Sequence, residues 1–132
     1  MNLKNNKGIT GIDISVALGI LIIFVSAITS LSYNFVTSSR NIERKSKATY
    51  LAIEVIENIK EIDYNSIIDQ MSVTDVEQLS GREVNKYDGY SLDITSRLYG
   101  ESDVLKIVTV KVEYKVGKSI ENVEISTAIP KE

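Results

Sequence analysis

Apolar residues are unevenly distributed along this chain. Residues 14–39 form a run of 26 without a charge, and its densest part, residues 16–27, reads VALGILIIFVSA. As a helix the run spans roughly 39 Å at about 1.5 Å per residue, enough to cross a hydrocarbon core of about 30 Å. Ser15, Ala17, Gly19, Ser26 and Ala27 interrupt it with small or hydroxyl side chains. Such residues favour close packing between helices over a plain lipid-facing anchor. The period then changes. Ala48, Leu51, Ala52, Val55, Ile56, Ile59 and Ile62 fall on one helical stripe, with Lys47, Glu54, Glu57, Asn58 and Glu61 assigned to the opposite side. No Gly or Pro separates this stripe from the apolar run, so one continuous helix over about residues 9–62 is expected.

Beyond Asp63-Tyr64-Asn65, which supplies turn residues, a short helix is expected, with Thr74 as its cap, Glu77 reaching back and Gly81 as its stop. The last third alternates with period two. Tyr90, Leu92 and Ile94 share one face, as do Val108, Val110, Val112, Tyr114 and Val116, and then Val123, Ile125, Thr127 and Ile129. Turns are expected at residues 99–103 and 117–119. The fold class that follows is α+β: a long N-terminal helix packed on a small antiparallel sheet of about three strands in meander order.

Charge separates the chain into two materials. Residues 1–39 carry two Lys and one Asp, whereas residues 40–132 carry 13 basic and 17 acidic side chains. The net charge of −3 argues against a nucleic-acid partner, which would favour a basic excess. With no His and no Cys, the chain cannot offer imidazole or thiolate ligands, a thiol nucleophile or a disulfide. Gly117-Lys118-Ser119 lacks the earlier Gly of a phosphate-binding loop, because position 112 is Val, and reads as a hairpin turn. Asp69, Asp75, Glu77, Glu101 and Asp103 have no calcium-loop spacing and read as solvated surface. No metal, no cofactor and no enzyme activity are expected.

Three features near the start carry information. Lys4 and Lys7 precede Gly8 in a short basic leader, and Asp13 stands at the mouth of the apolar helix. A carboxylate there is costly in lipid unless it finds a cation or a helix N-terminus. Thr10 and Asp13 also have capping-box spacing, which would occupy the acid locally. The third feature is the basic group Arg40, Arg44, Lys45 and Lys47 just past the run, suited to lipid headgroups. With two basic residues before the run and these four after it, the positive-inside rule alone would place the C-terminal module in the cytoplasm.

The segment Lys7-Gly8-Ile9-Thr10-Gly11-Ile12-Asp13, followed by an apolar helix, resembles the processing signal of type IV prepilins and pseudopilins. The resemblance implies cleavage after Gly8 by a prepilin peptidase and N-methylation of Ile9. Asp13 takes the place of the family's Glu. Residues 48–64 look like the helix-end segment of minor pilins of the pilus-modification type. Ile9 in place of Phe, Gly11 in place of an apolar residue and Asp13 in place of Glu point toward a minor or divergent subunit. The implied organisation is a leader at 1–8, a transmembrane or filament-core helix at 9–39 and a soluble module at 40–132. The implied localisation is a single pass of the cytoplasmic membrane with the module outside, followed by a filament at the cell surface or in the envelope. Other pilin subunits, the peptidase, an assembly platform with its ATPase motor, and membrane lipid would be the partners. In that family the acid pairs with the terminal amine of a neighbouring subunit, here Asp13 with Ile9.

Two alternatives come from other classes. An ordinary signal peptide would use residues 14–24 as its apolar region and Val25-Ser26-Ala27 as its cleavage site, releasing a secreted binding module. A signal-anchored protein would keep the helix and bind something with the module without assembling into a filament.

Overall fold

The computed structural model describes residues 11–100 and 104–131, and the chain divides into two units, Met1–Ser39 and Arg40–Glu132. Helix α1 covers Gly11–Ile59. A single 3₁₀ turn follows at Tyr64–Ser66, then strand β1 (Gln70–Met71), helix α2 (Val73–Ser80), and strands β2 (Tyr90–Leu98), β3 (Leu105–Val116) and β4 (Ser119–Pro130).

The second unit is the α+β body that the alternating patterns predict. Its sheet has four strands in the order β1-β2-β3-β4, each antiparallel to the next. The added strand is β1, two residues long and so too short to show a period. Gln70 pairs with Thr95 and Met71 with Ile94. Ser96 extends this edge: its N–H donates to the Asp69 carbonyl at 2.8 Å and its hydroxyl to the Ile68 carbonyl at 2.9 Å. At the other edge β3 and β4 join through Gly117-Lys118, with Val116 opposite Ser119 and Gly117 at φ +61°. Gly at the first central position of a two-residue hairpin suits the twist of the flanking strands, as expected of a hairpin turn.

The core forms where the helical stripe meets the inward face of the sheet. Ala48, Leu51, Ala52, Val55, Ile56, Ile59 and Ile62 are all buried, with Ile94, Val108, Val110, Val112 and Tyr114 from the strands. Three local expectations are corrected. Helix α1 ends at Ile59 rather than Ile62, and Ile62 reaches the core from the turn that follows. Asn58 is buried rather than on the wet side. It lies seven residues after Leu51 and three after Val55, so helical geometry carries it into the seam regardless of polarity. Among the described residues its amide nitrogen and one Glu54 oxygen are buried without a hydrogen-bond partner, while Asn85 donates to the other Glu54 oxygen at 2.8 Å.

The third correction concerns the start of α2. Ser72, not Thr74, is its cap: the Asp75 N–H donates to the Ser72 hydroxyl at 3.1 Å, and the Ser72 N–H donates to the Asp75 carboxylate at 2.7 Å. Gly81 ends the helix at φ +69°, as expected. Asp75 is therefore a capping acid rather than idle surface, and Glu77 is another bound acid, accepting the Val84 N–H at 3.0 Å and Lys86 at 3.2 Å. Hydrogen bonds from the Ser72 hydroxyl and N–H hold the Asp75 carboxyl below its ordinary value of 3.8. A depressed folded value stabilises α2 above the ordinary value, and that contribution is lost as pH falls through the folded value. Protection factors across α2, each amide measured against its intrinsic exchange rate at the same pH, should therefore fall as the pH drops below the ordinary value of 3.8, and Asp75→Asn should flatten this dependence. Ser72→Ala should loosen α2 by about 1 kcal/mol at neutral pH. An acid-insensitive α2 in the unaltered chain would contradict the capping role.

Candidate functional site at the apolar helix

Residues 11–39 of α1 are exposed throughout, and the stretch reaches a mean hydropathy of 2.5 with none of it buried inside the protein. Ile12, Phe24, Leu31 and Phe35 each expose more than half of their surface. Water does not favour such a surface, so its length and composition suit a membrane or a partner helix.

Four of the hydroxyls within this stretch are bonded within their own helix. Ser15 donates to the Gly11 carbonyl at 2.9 Å, Ser26 to Ile22 at 2.7 Å, Thr29 to Val25 at 2.8 Å and Thr37 to Tyr33 at 2.9 Å. Each hydroxyl is therefore satisfied one turn back in its own helix. In hydrocarbon, where water is absent, that removes the cost of an unmet donor. A Cβ added at Gly19 would meet nothing within 4 Å, so no contact inside the chain requires glycine there.

Asp13 lies in the first turn of α1, where exposed N–H groups and the helix dipole favour an anion. It heads a shallow groove lined with Ile14, Ala17, Leu18 and Leu21. Asp13, Ala17 and Leu21 are spaced by four, as are Ile14 and Leu18, so two ridges flank the groove. Ridges and grooves at this spacing are the surface on which another helix packs. The arrangement can therefore offer one helix a nonpolar bed and a single carboxylate at its end. Lys4, Lys7, Gly8, Ile9 and Thr10 lie outside the described residues, so the candidate cleavage site, the amine and the capping partner of Asp13 have no described geometry.

Two of the four basic residues after residue 39 have partners within the module. Arg44 donates through Nη1 to the Lys115 carbonyl at the end of β3, and Lys47 pairs with Glu43 at 2.9 Å. The Tyr90 hydroxyl donates to the Arg44 carbonyl at 3.3 Å. Tyr90 stacks on Tyr114 with centroids 5.9 Å apart, and Tyr87 meets Tyr90 edge-on at 6.0 Å. Burial, then the nearby Glu121 carboxylate, pushes the Tyr114 phenol up from its ordinary value. This tyrosine group escaped sequence reasoning. The signal was present in part, because Tyr90 and Tyr114 both occupy inward positions of alternating strands.

At the opposite end of the module, Lys106 donates to the carbonyls of Tyr64 at 2.8 Å and Ile67 at 2.7 Å, with its ammonium 4.4 Å from the Tyr64 ring centroid. This is a structural clasp that ties the segment after α1 to β3. Among the described residues no His, Cys, Asp or Glu group is arranged to hold a metal ion.

Fold and site together define a class: an α+β chain that has, among the described residues, one helix near the N-terminus long and apolar enough to cross a membrane. No family model, curated protein or solved structure matches the chain.

Proposed function

We propose that this chain is a pilin-like structural subunit, closest in type to a minor pilin. It is held in the cytoplasmic membrane by its apolar helix and then built through that helix into an extracellular or envelope-spanning filament. The observation that carries the reading is an ordered series: Lys7-Gly8, an acid at the fifth position after Gly8, and an uncharged run from residue 14 to residue 39. Two features of the helix support it. Asp13 heads a groove with the ridge spacing that another helix requires, and the hydroxyls of Ser15, Ser26, Thr29 and Thr37 are satisfied within the helix. In this reading the protein is not an enzyme, and cleavage, extraction and force come from a peptidase, a platform and a motor ATPase on other chains.

A second reading is a signal-anchored binding module that keeps its apolar helix without entering a filament. The four basic residues at 40–47 against two before the run would by themselves place the module of any single-pass chain in the cytoplasm. Mass spectrometry of the native N-terminus separates these readings. The pilin reading expects a chain beginning at methylated Ile9. An intact leader would establish the anchor, and a start at Ile28 would establish ordinary secretion. Either of these would overturn the filament reading.

A further inference from the structure

The module is acidic as a whole, yet its charges are segregated along α1. Residues 40–47 hold four basic side chains against one acidic, whereas residues 54–63 hold four acidic against one basic. The two groups are separated by roughly 20 Å at about 1.5 Å per residue. Helix stability does not explain this order, because a helix C-terminus favours cations, whereas the last turn of α1 has Glu57 and no basic residue, and the Lys60 that follows its end is matched by Glu61.

The sheet adds to the basic end. Arg44 holds the Lys115 carbonyl, so the β3–β4 turn lies beside the first turns of the module's helix. A pocket lined with Arg44, Asp88, Gly89, Tyr90, Tyr114 and Lys115 marks the same place. That turn carries Lys118, and next to it Ile120 exposes 66 % of its surface. Arg40, Lys45, Lys115 and Lys118 are all exposed. Three acids at this end are engaged, Glu43 by Lys47, Glu113 by Lys111 at 2.6 Å and Glu121 by the Tyr114 hydroxyl at 3.5 Å. A fourth, Asp88, is exposed beside Arg44, so the end keeps a basic excess rather than a purely basic face. Basic side chains, tyrosines and one exposed aliphatic residue form a combination that suits the headgroup layer, where amphipathic rings and snorkelling cations are at home. The chain enters the module at this end, since Arg40 follows directly on the apolar run.

We propose that this end of the module, helix residues 40–47 with the β3–β4 turn, is a docking surface for anionic phospholipid headgroups. It would hold the module against the membrane in which the apolar helix is inserted. The proposal rests only on that part of the functional reading which places the helix in a membrane, not on cleavage or assembly.

The chain has no Cys, so a single label can be placed by substitution. The full chain, as Ser119→Cys with an environment-sensitive fluorophore, is reconstituted into vesicles of neutral phosphatidylcholine or of the same lipid with about a third phosphatidylglycerol. A second chain carries the label at Asn65→Cys, beyond the far end of α1. Each basic residue near an anionic surface contributes about a fivefold gain in occupancy. The surface-bound fraction at position 119, read by a headgroup quencher, should therefore rise at least about fivefold on the anionic vesicles. It should fall again near 0.5 M salt, where the screening length drops to about 4 Å. Lys115→Glu with Lys118→Glu should abolish the rise, and the Asn65 label should not respond. Equal quenching at position 119 on both vesicles would overturn the proposal, as would an equal response at Asn65. A signal that follows protein density rather than lipid charge would assign the surface to a second copy and also overturn it. Flotation keeps the two readings apart. A chain that fails to float with neutral vesicles refutes the membrane helix itself, whereas one that floats with its 119 label in water refutes only the docking surface.

Discussion

Asp13→Ala chains are expected to reach the membrane normally and to be absent from filaments, while Asp13→Glu chains enter them. The expectation follows from what the carboxylate can do at the head of an apolar groove. Alanine keeps the groove residues Ile14, Ala17, Leu18 and Leu21 and, by removing the carboxylate, leaves only a Cβ methyl at its head. Membrane insertion, driven by the uncharged run, should therefore be unaffected or improved. Docking loses its one charged contact. Two unit charges about 4 Å apart attract by about 4 kcal/mol at an effective dielectric near 20, and desolvation offsets much of this. The pair would thus contribute more to register than to bulk affinity: a helix that slides by one turn keeps its apolar contacts and loses the pair. Asp13→Asn distinguishes charge from shape, and on this mechanism it fails like alanine. The measurement compares sheared filaments with the membrane fraction by immunoblot. Normal filament incorporation of the alanine or asparagine chain would sink the pairing role, whatever the N-terminus proves to be.

How much of this was legible in the chain depends on how local each cause is. The apolar run is visible because charge is absent from every one of its positions. The stripe through Leu51, Val55 and Ile59 is visible because one period covers several turns. The strands around Ile94, Val110 and Ile125 show alternation, and the 117–118 turn has a glycine where the hairpin needs a positive φ. What escaped was set by partners distant in sequence. Strand β1 exists because Met71 finds Ile94, and two residues cannot display a period. Lys106 falls on the inward side of the β3 alternation, two residues before Val108, and what its charge meets there, the carbonyls of Tyr64 and Ile67, is visible only once the segment after α1 is placed against the strand. The cap of α2 was misassigned because Thr74–Glu77 and Ser72–Asp75 share the same spacing. The chain around Ser72, extended at φ −86° and ψ 163°, decides between them. The proposed assembly contact is legible only as far as Asp13. Its counterpart, Ile9, lies outside the described residues, and the groove needs a second helix to fill it.

The same substitution placed on either side of residue 39 should have opposite consequences. Leu51 is 0 % exposed and Leu21 is 59 % exposed, though both occupy the same helix. Leu51 lies in the seam between α1 and the sheet, within the cluster that holds Val108, Val110 and Val112. Removing its branched end leaves a cavity that rigid neighbours on a sheet cannot readily fill, and such changes cost about 2–5 kcal/mol. For a loss of about 3 kcal/mol, amide exchange at the most protected positions of β3 should quicken by about 150-fold, at about 1.4 kcal/mol per factor of ten. Leu21→Ala removes the same atoms from a side chain already outside any core, so β3 exchange should not change. The measurement is hydrogen exchange of the full chain in detergent micelles, read across β3 in both variants. If Leu21→Ala loosened β3 as much as Leu51→Ala, the two units could not be energetically distinct. A contrast of the expected size would mean that the apolar run contributes nothing to the module's fold. Selection on residues 14–39 would then act through what lies outside the chain: lipid and, on the proposed reading, the helices of neighbouring subunits.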